Sequence, residues 1–359
     1  MGNKNRVASL AVSRPKTRLK TEVAVMEKQI LNNRNLAIMI AAFAAVYVLW
    51  GSTYLAIKYA IETLPPFLMA GSRFVFAGTV LMIWARFSKD YETPTRAHWK
   101  TSFVVGTLLL LGGNGGVVLA QHYISSSLAA LLVATEPFWI VLLSWLWLGK
   151  SRPNLKTILG IAIGFFGVWL LINGNTMNNA ANVGSMQFFG AIAVMLAAMS
   201  WATGSIYGLR APVPKSSILT AGMQMFSGGM VLLVVSLLTG EMSRFDISGV
   251  SANSLFGLLY LIIAGSLIGF TAYSWLLKNA QPAMVSTYAY VNPIVAGFLG
   301  WLIAGETFTG QMLIGATVIV GSVVLITSHD KNDKDSKKST EIHQSNMPTG
   351  TPKTISASA

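Results

Sequence analysis

The 359-residue chain is 53% hydrophobic and only 11% charged, with a mean hydropathy of +0.57 and a formal net charge of +13. A soluble protein carries roughly twice that charged fraction, so one large water-soluble core is excluded, and the complete lack of cysteine excludes a disulfide framework, a thiolate metal site and a thiol nucleophile. The apolar residues fall in blocks of about 20, enough for a helix to cross roughly 30 Å of hydrocarbon; the composition is that of an all-α, polytopic membrane protein.

Residues 1–35 are polar, basic and poor in aromatics, and are expected to form a disordered tail. Met1-Gly2 opens like a myristoylation signal, but Arg6 stands where Ser or Thr is required. Ten helices are then expected, at about 37–57, 67–87, 101–122, 126–148, 156–173, 188–209, 216–238, 254–276, 282–303 and 311–328. The first begins too far along the chain for an ordinary signal peptide and is read as a retained helix. Residues 329–359 form a second polar tail, also expected to be disordered.

The basic residues are sorted by side. Arg86, Lys89, Arg96 and Lys100 share one loop, Lys150, Arg152 and Lys156 another, Arg210 and Lys215 a third, and Lys278 a fourth. Both tails, also basic, fall on that same side, whereas the opposite side holds only Lys58 and Arg244. Positive loops stay in the cytoplasm, so both termini are expected there. The charge is thus topogenic, and no nucleic-acid partner is needed to explain it.

Trp50, Gly71 and Gly78 recur as Trp201, Gly222 and Gly229 at a spacing of 151, and Pro137 and Gly149 recur as Pro293 and Gly305 at 156. Five apolar segments fit one interval. An odd number obliges the second copy, 186–328, to enter the membrane upside down relative to the first, 36–175. Inverted repeats of this kind enclose a substrate site near the bilayer midplane in secondary transporters. Gly112/Gly116, Gly160/Gly164, Gly204/Gly208 and Gly265/Gly269 are one helical turn apart and suit close helix packing.

Few polar residues stand within the spans, and each is a candidate. Glu136 is the only carboxylate deep in any of them, and it precedes Pro137. An ionised acid there must be paired, face water or give up its charge, and the proline disfavours helical geometry at residue 136 and removes a donor. Three roles stay open: structural partner, ligand for a cationic substrate, or proton carrier. Arg73, two turns into the second span, is a snorkelling or pairing residue, an outer-gate residue or an anchor for a substrate carboxylate. Asn292-Pro293 is the repeat counterpart of Glu136-Pro137, and Asn114 lies among glycines in the third span; either amide can orient a ligand or join two helices. Trp50, Tyr54, Trp201 and Tyr288 are candidates to line a cavity for apolar, aromatic or cationic solutes, with Tyr207, Tyr273 and Tyr290 weaker ones. Trp84, Trp99 and Trp169 read as interface anchors. His122 alone makes no metal site, and Glu306, at a span end, reads as loop or helix-end structure.

These segments resemble a known group. Trp50-Gly51-Ser52-Thr53-Tyr54, Pro65-Pro66 with Met69-Ala70-Gly71-Ser72-Arg73-Phe74, Gly113-Asn114-Gly115, and Ser200-Trp201 with Gly204-Ser205-Ile206-Tyr207-Gly208 are one set; Tyr288-Ala289-Tyr290-Val291-Asn292-Pro293 leading to Gly305-Glu306-Thr307 is the most specific. Together, over about 36–328, they resemble the drug/metabolite transporter superfamily, EamA-domain type, in its bacterial YedA-like branch. The resemblance implies ten helices in a 5+5 inverted arrangement, a central cavity, and export of amino acids, metabolites or drugs across the inner membrane, with no cofactor. One departure is Gly149-Lys150, where the first half has Lys at the position Glu306 holds in the second. Partners expected are a small-molecule substrate and the bilayer, with the chain a monomer or homodimer. No Walker loop is present, so energy must come from gradients. An intramembrane enzyme would need a nucleophile–base pair, a carboxylate dyad or a metal cluster, for which the spans offer one acid and no thiol. It and a passive facilitator are the alternative readings.

Overall fold

The computed structural model describes residues 14–148, 155–176, 181–280, 282–306, 310 and 313–322. Lys150, residues 1–13 and the tail from 329 onward lie outside the described residues. The described chain is helical, with no strand. Its helices are α1 (Arg14–Ala60), α2 (Pro66–Ala85), α3 (Arg96–Ala120), α4 (Ser126–Trp147), α5 (Leu155–Thr176), α6 (Ala181–Gly208), α7 (Ser217–Leu238), α8 (Ala252–Asn279), α9 (Tyr288–Ala304) and α10 (Leu313–Ser322). Among the described residues, seven helices are long and apolar enough to cross a membrane; Ile158–Leu170 of α5, α9 and α10 are shorter apolar segments.

The structure departs from the expected pattern in three places. Helix α1 begins at Arg14, so 14–35, expected to be disordered, is helical. After Pro15 that stretch holds no glycine or proline and many Leu, Lys, Ala, Val, Met and Glu residues, and most of these propagate a helix well. Helix α4 is broken at Ala134–Thr135, immediately before Glu136-Pro137. The ninth span is divided into Pro282–Val285 and α9, with the break at Ser286–Thr287 rather than at Pro293, which lies inside α9. Three helix starts carry serine caps: Ser125, Ser216 and Ser251 accept backbone N–H bonds three residues on.

The bundle is apolar outside, and the few strongly polar side chains of its spans lie inside, as a lipid solvent requires. Trp84, Phe87, Ile163, Trp169, Phe256 and Trp301 are exposed, while Arg73, Glu136, Gln121, Gln224 and Asn292 are buried. Helices α2 and α7, related by the repeat, pack against each other through the glycines that reveal that repeat. A β-carbon on Gly78 would lie 2.5 Å from the Phe226 nitrogen and 2.7 Å from the Gly222 oxygen; one on Gly229 would lie 2.7 Å from the Val75 nitrogen. Only glycine permits this backbone-to-backbone approach. Both ends of the pair are also tied. Glu241, past the end of α7, accepts from Phe67 N at 3.2 Å, Leu68 N at 2.8 Å and Ser236 Oγ at 2.8 Å. At the other end Glu92 accepts from Lys215 N at 2.7 Å.

Candidate functional site

Two π-helical stretches interrupt the bundle, Thr107–Gly115 in α3 and Leu261–Phe270 in α8. They occupy equivalent positions in the two repeats and contain three of the glycines of the 112/116 and 265/269 pairs. A wide turn of this type re-aims side chains and recurs at functional sites. Both stretches line a central cavity of about 80 Å³. At ~10–15 Å³ for each water centre this holds on the order of half a dozen waters, so an organic solute of modest size fits.

All eight polar and aromatic residues singled out from the sequence as strongest line this one cavity: Trp50 and Tyr54 from α1, Arg73 from α2, Asn114 from α3, Glu136 from α4, Trp201 from α6, and Tyr288 and Asn292 from α9. Tyr207 and Tyr290 are not among its lining residues, and Tyr273 borders a second, far smaller space of about 10 Å³ with Ile140, Ser205, Leu277 and Val285. Glu136 borders both. Sequence reading did not find Phe74 and Phe270, which also line this cavity, nor Ser266, which accepts from Arg73; apolar or small residues within apolar helices carry no signal that separates such positions from bundle packing.

Trp50 and Trp201 meet edge to face, ring centres 5.4 Å apart at 89°. Trp50 also lies 5.1 Å from Tyr288 and 4.9 Å from Tyr273, so four rings form one cluster. Each tryptophan is seated on a glycine of the opposite repeat. A β-carbon at Gly269 would lie 2.5 Å from Trp50 Nε1, and one at Gly113 would lie 2.7 Å from Trp201 Cε3. Trp50 Nε1 donates to the Gly265 carbonyl at 3.1 Å, and Trp201 Nε1 to Tyr273 Oη at 3.2 Å. These bonds satisfy both indole donors and fix the ring planes.

The charged pair is buried, Arg73 being 3% and Glu136 1% exposed. Tyr288 Oη donates to Glu136 Oε2, and Glu136 Oε1 has no partner. Arg73 Nε donates to Ser266 Oγ at 3.0 Å, its guanidinium lies 4.2 Å from the centre of the Phe74 ring, and Nη1 has no partner. Arg73 and Glu136 form no ion pair with each other; the ion pair described joins Lys58 and Glu306. Asn114 Oδ1 is also buried and unpartnered. Asn292 is more committed: with its amide nitrogen toward the backbone it donates to the carbonyls of Tyr47 and Tyr288, both at 3.1 Å, and so ties α1 to α9.

A second polar node closes the end of the bundle where α1 finishes. Gly305, at φ 63°, ends α9 in the left-handed region and turns the chain back. Glu306 then accepts from Ser126 N and Ser127 N at 3.2 Å each, from their hydroxyls at 2.7 and 2.5 Å, and from Lys58 Nζ at 3.0 Å. Burial works to raise the Glu306 pKa, but the bonds from Ser127, Ser126 and Lys58 outweigh it and hold the carboxyl below its ordinary value. Glu306 thus caps the start of α4 and joins it to α1 and α9. At the same end, His122 is pushed below its usual pKa by partial burial, with Glu241 pulling the other way.

A larger groove of about 500 Å³ lies between α1, α8 and α9. Its walls include Leu55, Phe256, Leu299 and Ile303 and no charged residue, so it is a crease in the apolar surface and not a polar site. Among the described residues no three His, Cys, Asp or Glu side chains cluster as metal ligands would.

The chain is similar to known proteins along most of its length. The EamA-like transporter family matches twice, at residues 36–173 and 188–328. "Uncharacterized inner membrane transporter YedA" of Escherichia coli (strain K12) is 36% identical over 298 residues, 82% of this chain and 92% of that protein. "Protein PecM" of Dickeya dadantii is 28% identical over 282 residues, covering 77% and 88%. "Uncharacterized transporter YvbV" of Bacillus subtilis is 25% identical over 291 residues, covering 81% and 92%. A solved crystal structure at 21% identity superposes with a TM-score of 0.56 over 81% of this chain and 97% of its own, and so shares the fold.

Proposed function

The chain belongs to the EamA-like transporter family, and from that premise we propose that it exports small organic solutes (amino acids, metabolites or drugs) across the cytoplasmic membrane by alternating access. The observation that carries this is the central cavity. Its walls come from both repeats, and the repeat-related Trp50 and Trp201 meet at its side. A cavity on the boundary between two inverted halves can be opened to either face by rocking one half against the other. A solute biases that motion only through different affinities for the two states. Several features suit the task. The tied α2–α7 pair offers a fixed axis, and the aromatic cluster with Glu136 separates the cavity from the small space beyond it. Relatives named as transporters support this reading over an intramembrane enzyme, and the name of the Escherichia coli relative supports an inner-membrane location. The sorted basic loops support cytoplasmic termini.

The test is uptake of labelled amino acids and cationic aromatics into proteoliposomes, with and without an imposed pH gradient. Accumulation driven by the gradient supports exchange coupling, and Glu136→Gln then abolishes the pH dependence if Glu136 carries the proton. Uptake that only equilibrates points to facilitated diffusion. No uptake of any solute overturns the proposal. Because the chain has no cysteine, a single cysteine placed in either tail reports topology without background; labelling from the periplasmic face would contradict the assigned orientation.

A further inference from the structure

We infer that the Glu306 clasp is a one-sided latch, which holds the bundle shut at the end where α1 finishes and has no equivalent at the other end. The inference rests on the transporter reading and says which closed state this chain favours. The clasp crosses the repeat boundary. Glu306 follows α9 of the second repeat, and its donors Lys58, Ser126 and Ser127 belong to α1 and α4 of the first. The central cavity reaches toward the same end: Ile57, next to Lys58, and Val117, one turn before α3 finishes, both line it. Opening the cavity there moves helices of one repeat away from those of the other, and the clasp that joins them has to break.

The inverted repeat supplies the comparison between the two ends. One bond recurs at both: Tyr59 Oη donates to the Ile303 carbonyl at 3.4 Å, and Arg210 Nη1 to the Trp147 carbonyl at 3.2 Å. Tyr59 and Arg210 are 151 residues apart, and Trp147 and Ile303 are 156 apart, the two spacings of the repeat. The ends of α1 and α9 therefore correspond to the ends of α6 and α4. None of the clasp survives that exchange. Lys58 falls on Leu209, Ser126 and Ser127 on Pro282 and Ala283, and Glu306 on Lys150. The room for the clasp is also particular to one end. A β-carbon on Gly300 would lie 2.6 Å from Glu306 Oε2 and 2.9 Å from Ser127 Oγ, whereas the matching residue is Ser144. Hydrogen bonds to an ionised carboxylate are roughly twice as strong as neutral ones, so the clasp favours the state closed at its own end. By the sorted basic loops that end is the periplasmic one, and a carrier that rests shut there loads from the cytoplasm, as export requires.

The experiment uses the full chain in lipid nanodiscs, where both faces meet solvent, and a charged, membrane-impermeant maleimide. The chain has no cysteine, so a single introduced one reports without background. Val117→Cys reads access from the clasp end; Leu277→Cys, beside the small space near the far end of α8, reads access from the other. Glu306→Gln is expected to speed labelling of the first about tenfold or more and to slow labelling of the second. Gly300→Ala, which crowds the clasp without touching its charge, is expected to act in the same directions, and it serves where Glu306→Gln does not fold. Glu241→Gln is the control. Its carboxylate accepts similar bonds at the same end but joins α2 and α7, which their glycines already hold backbone to backbone, so neither rate should move. Faster labelling of both reporters is general loosening and overturns the latch, as do unchanged rates or a crossed change in Glu241→Gln. Solute uptake by the unaltered chain alongside any of these results leaves the transporter reading in place. Absence of all uptake overturns that reading itself.

Discussion

Replacing Glu306 with alanine removes the acceptor for two backbone N–H groups, two hydroxyls and one ammonium at once. The contributions differ in size. Loss of a helix N-cap costs about 0.5–2 kcal/mol, and hydrogen bonds to a charged group contribute roughly 1.5–3 kcal/mol. The Lys58 side chain, by contrast, is 36% exposed against 8% for Glu306, and an ion pair with an exposed partner adds only about 0–1 kcal/mol. These terms overlap and do not add, so Glu306→Ala is expected to cost ~2–4 kcal/mol, and Lys58→Met under ~1 kcal/mol. Thermal unfolding of both variants and the double variant in nanodiscs reads the difference. The carboxyl pKa is held down in the folded protein, so its contribution is fully present above the ordinary carboxylate value of about 4.3. It is lost as pH falls through the lowered folded value, and Glu306→Gln removes that acid-side dependence. A Lys58→Met cost equal to that of Glu306→Ala, or a neutral Glu306→Ala, would refute the assignment of the clasp to the serine caps.

Tyr288→Phe removes the hydrogen bond that Glu136 receives and should cost about 1–3 kcal/mol by leaving a buried acceptor unmet; Glu136→Gln, which keeps an acceptor for Tyr288, should cost less in the same unfolding assay. Gly269→Ala sets a methyl group against the Trp50 ring, an overpacking of roughly 1–3 kcal/mol, with a shifted tryptophan emission as the sign that the ring has moved. Glu241→Ala strips a cap from the start of α2 and should lower stability by about 0.5–2 kcal/mol. Glu92→Ala at the opposite end, which loses one exposed bond, should stay within about 0.5 kcal/mol of the parent; equal effects would deny that the two ends are tied unequally.

Whatever depends on local pattern is legible in the residues alone. Hydropathy sets most span positions, repeated Trp and Gly set the two copies, and the rarity of polar residues in apolar helices picks out Arg73, Asn114, Glu136 and Asn292. The same positions line the cavity because a lipid-embedded bundle hides its polar groups inside, so an intramembrane charge is informative by its mere presence in an apolar span. Partnership is not legible in this way. Glu136 meets Tyr288 from 152 residues away, and Glu306 meets Ser126 from 180 away; such meetings depend on how helices cross, which no periodicity encodes. Glu306 reads as a helix-end residue, but the helix it caps, α4, is not the one it follows. The π-helical turns and the break at Ser286–Thr287 are equally hidden. Residue preference for helix is a weak signal that tertiary context overrides, so packing decides where the backbone yields.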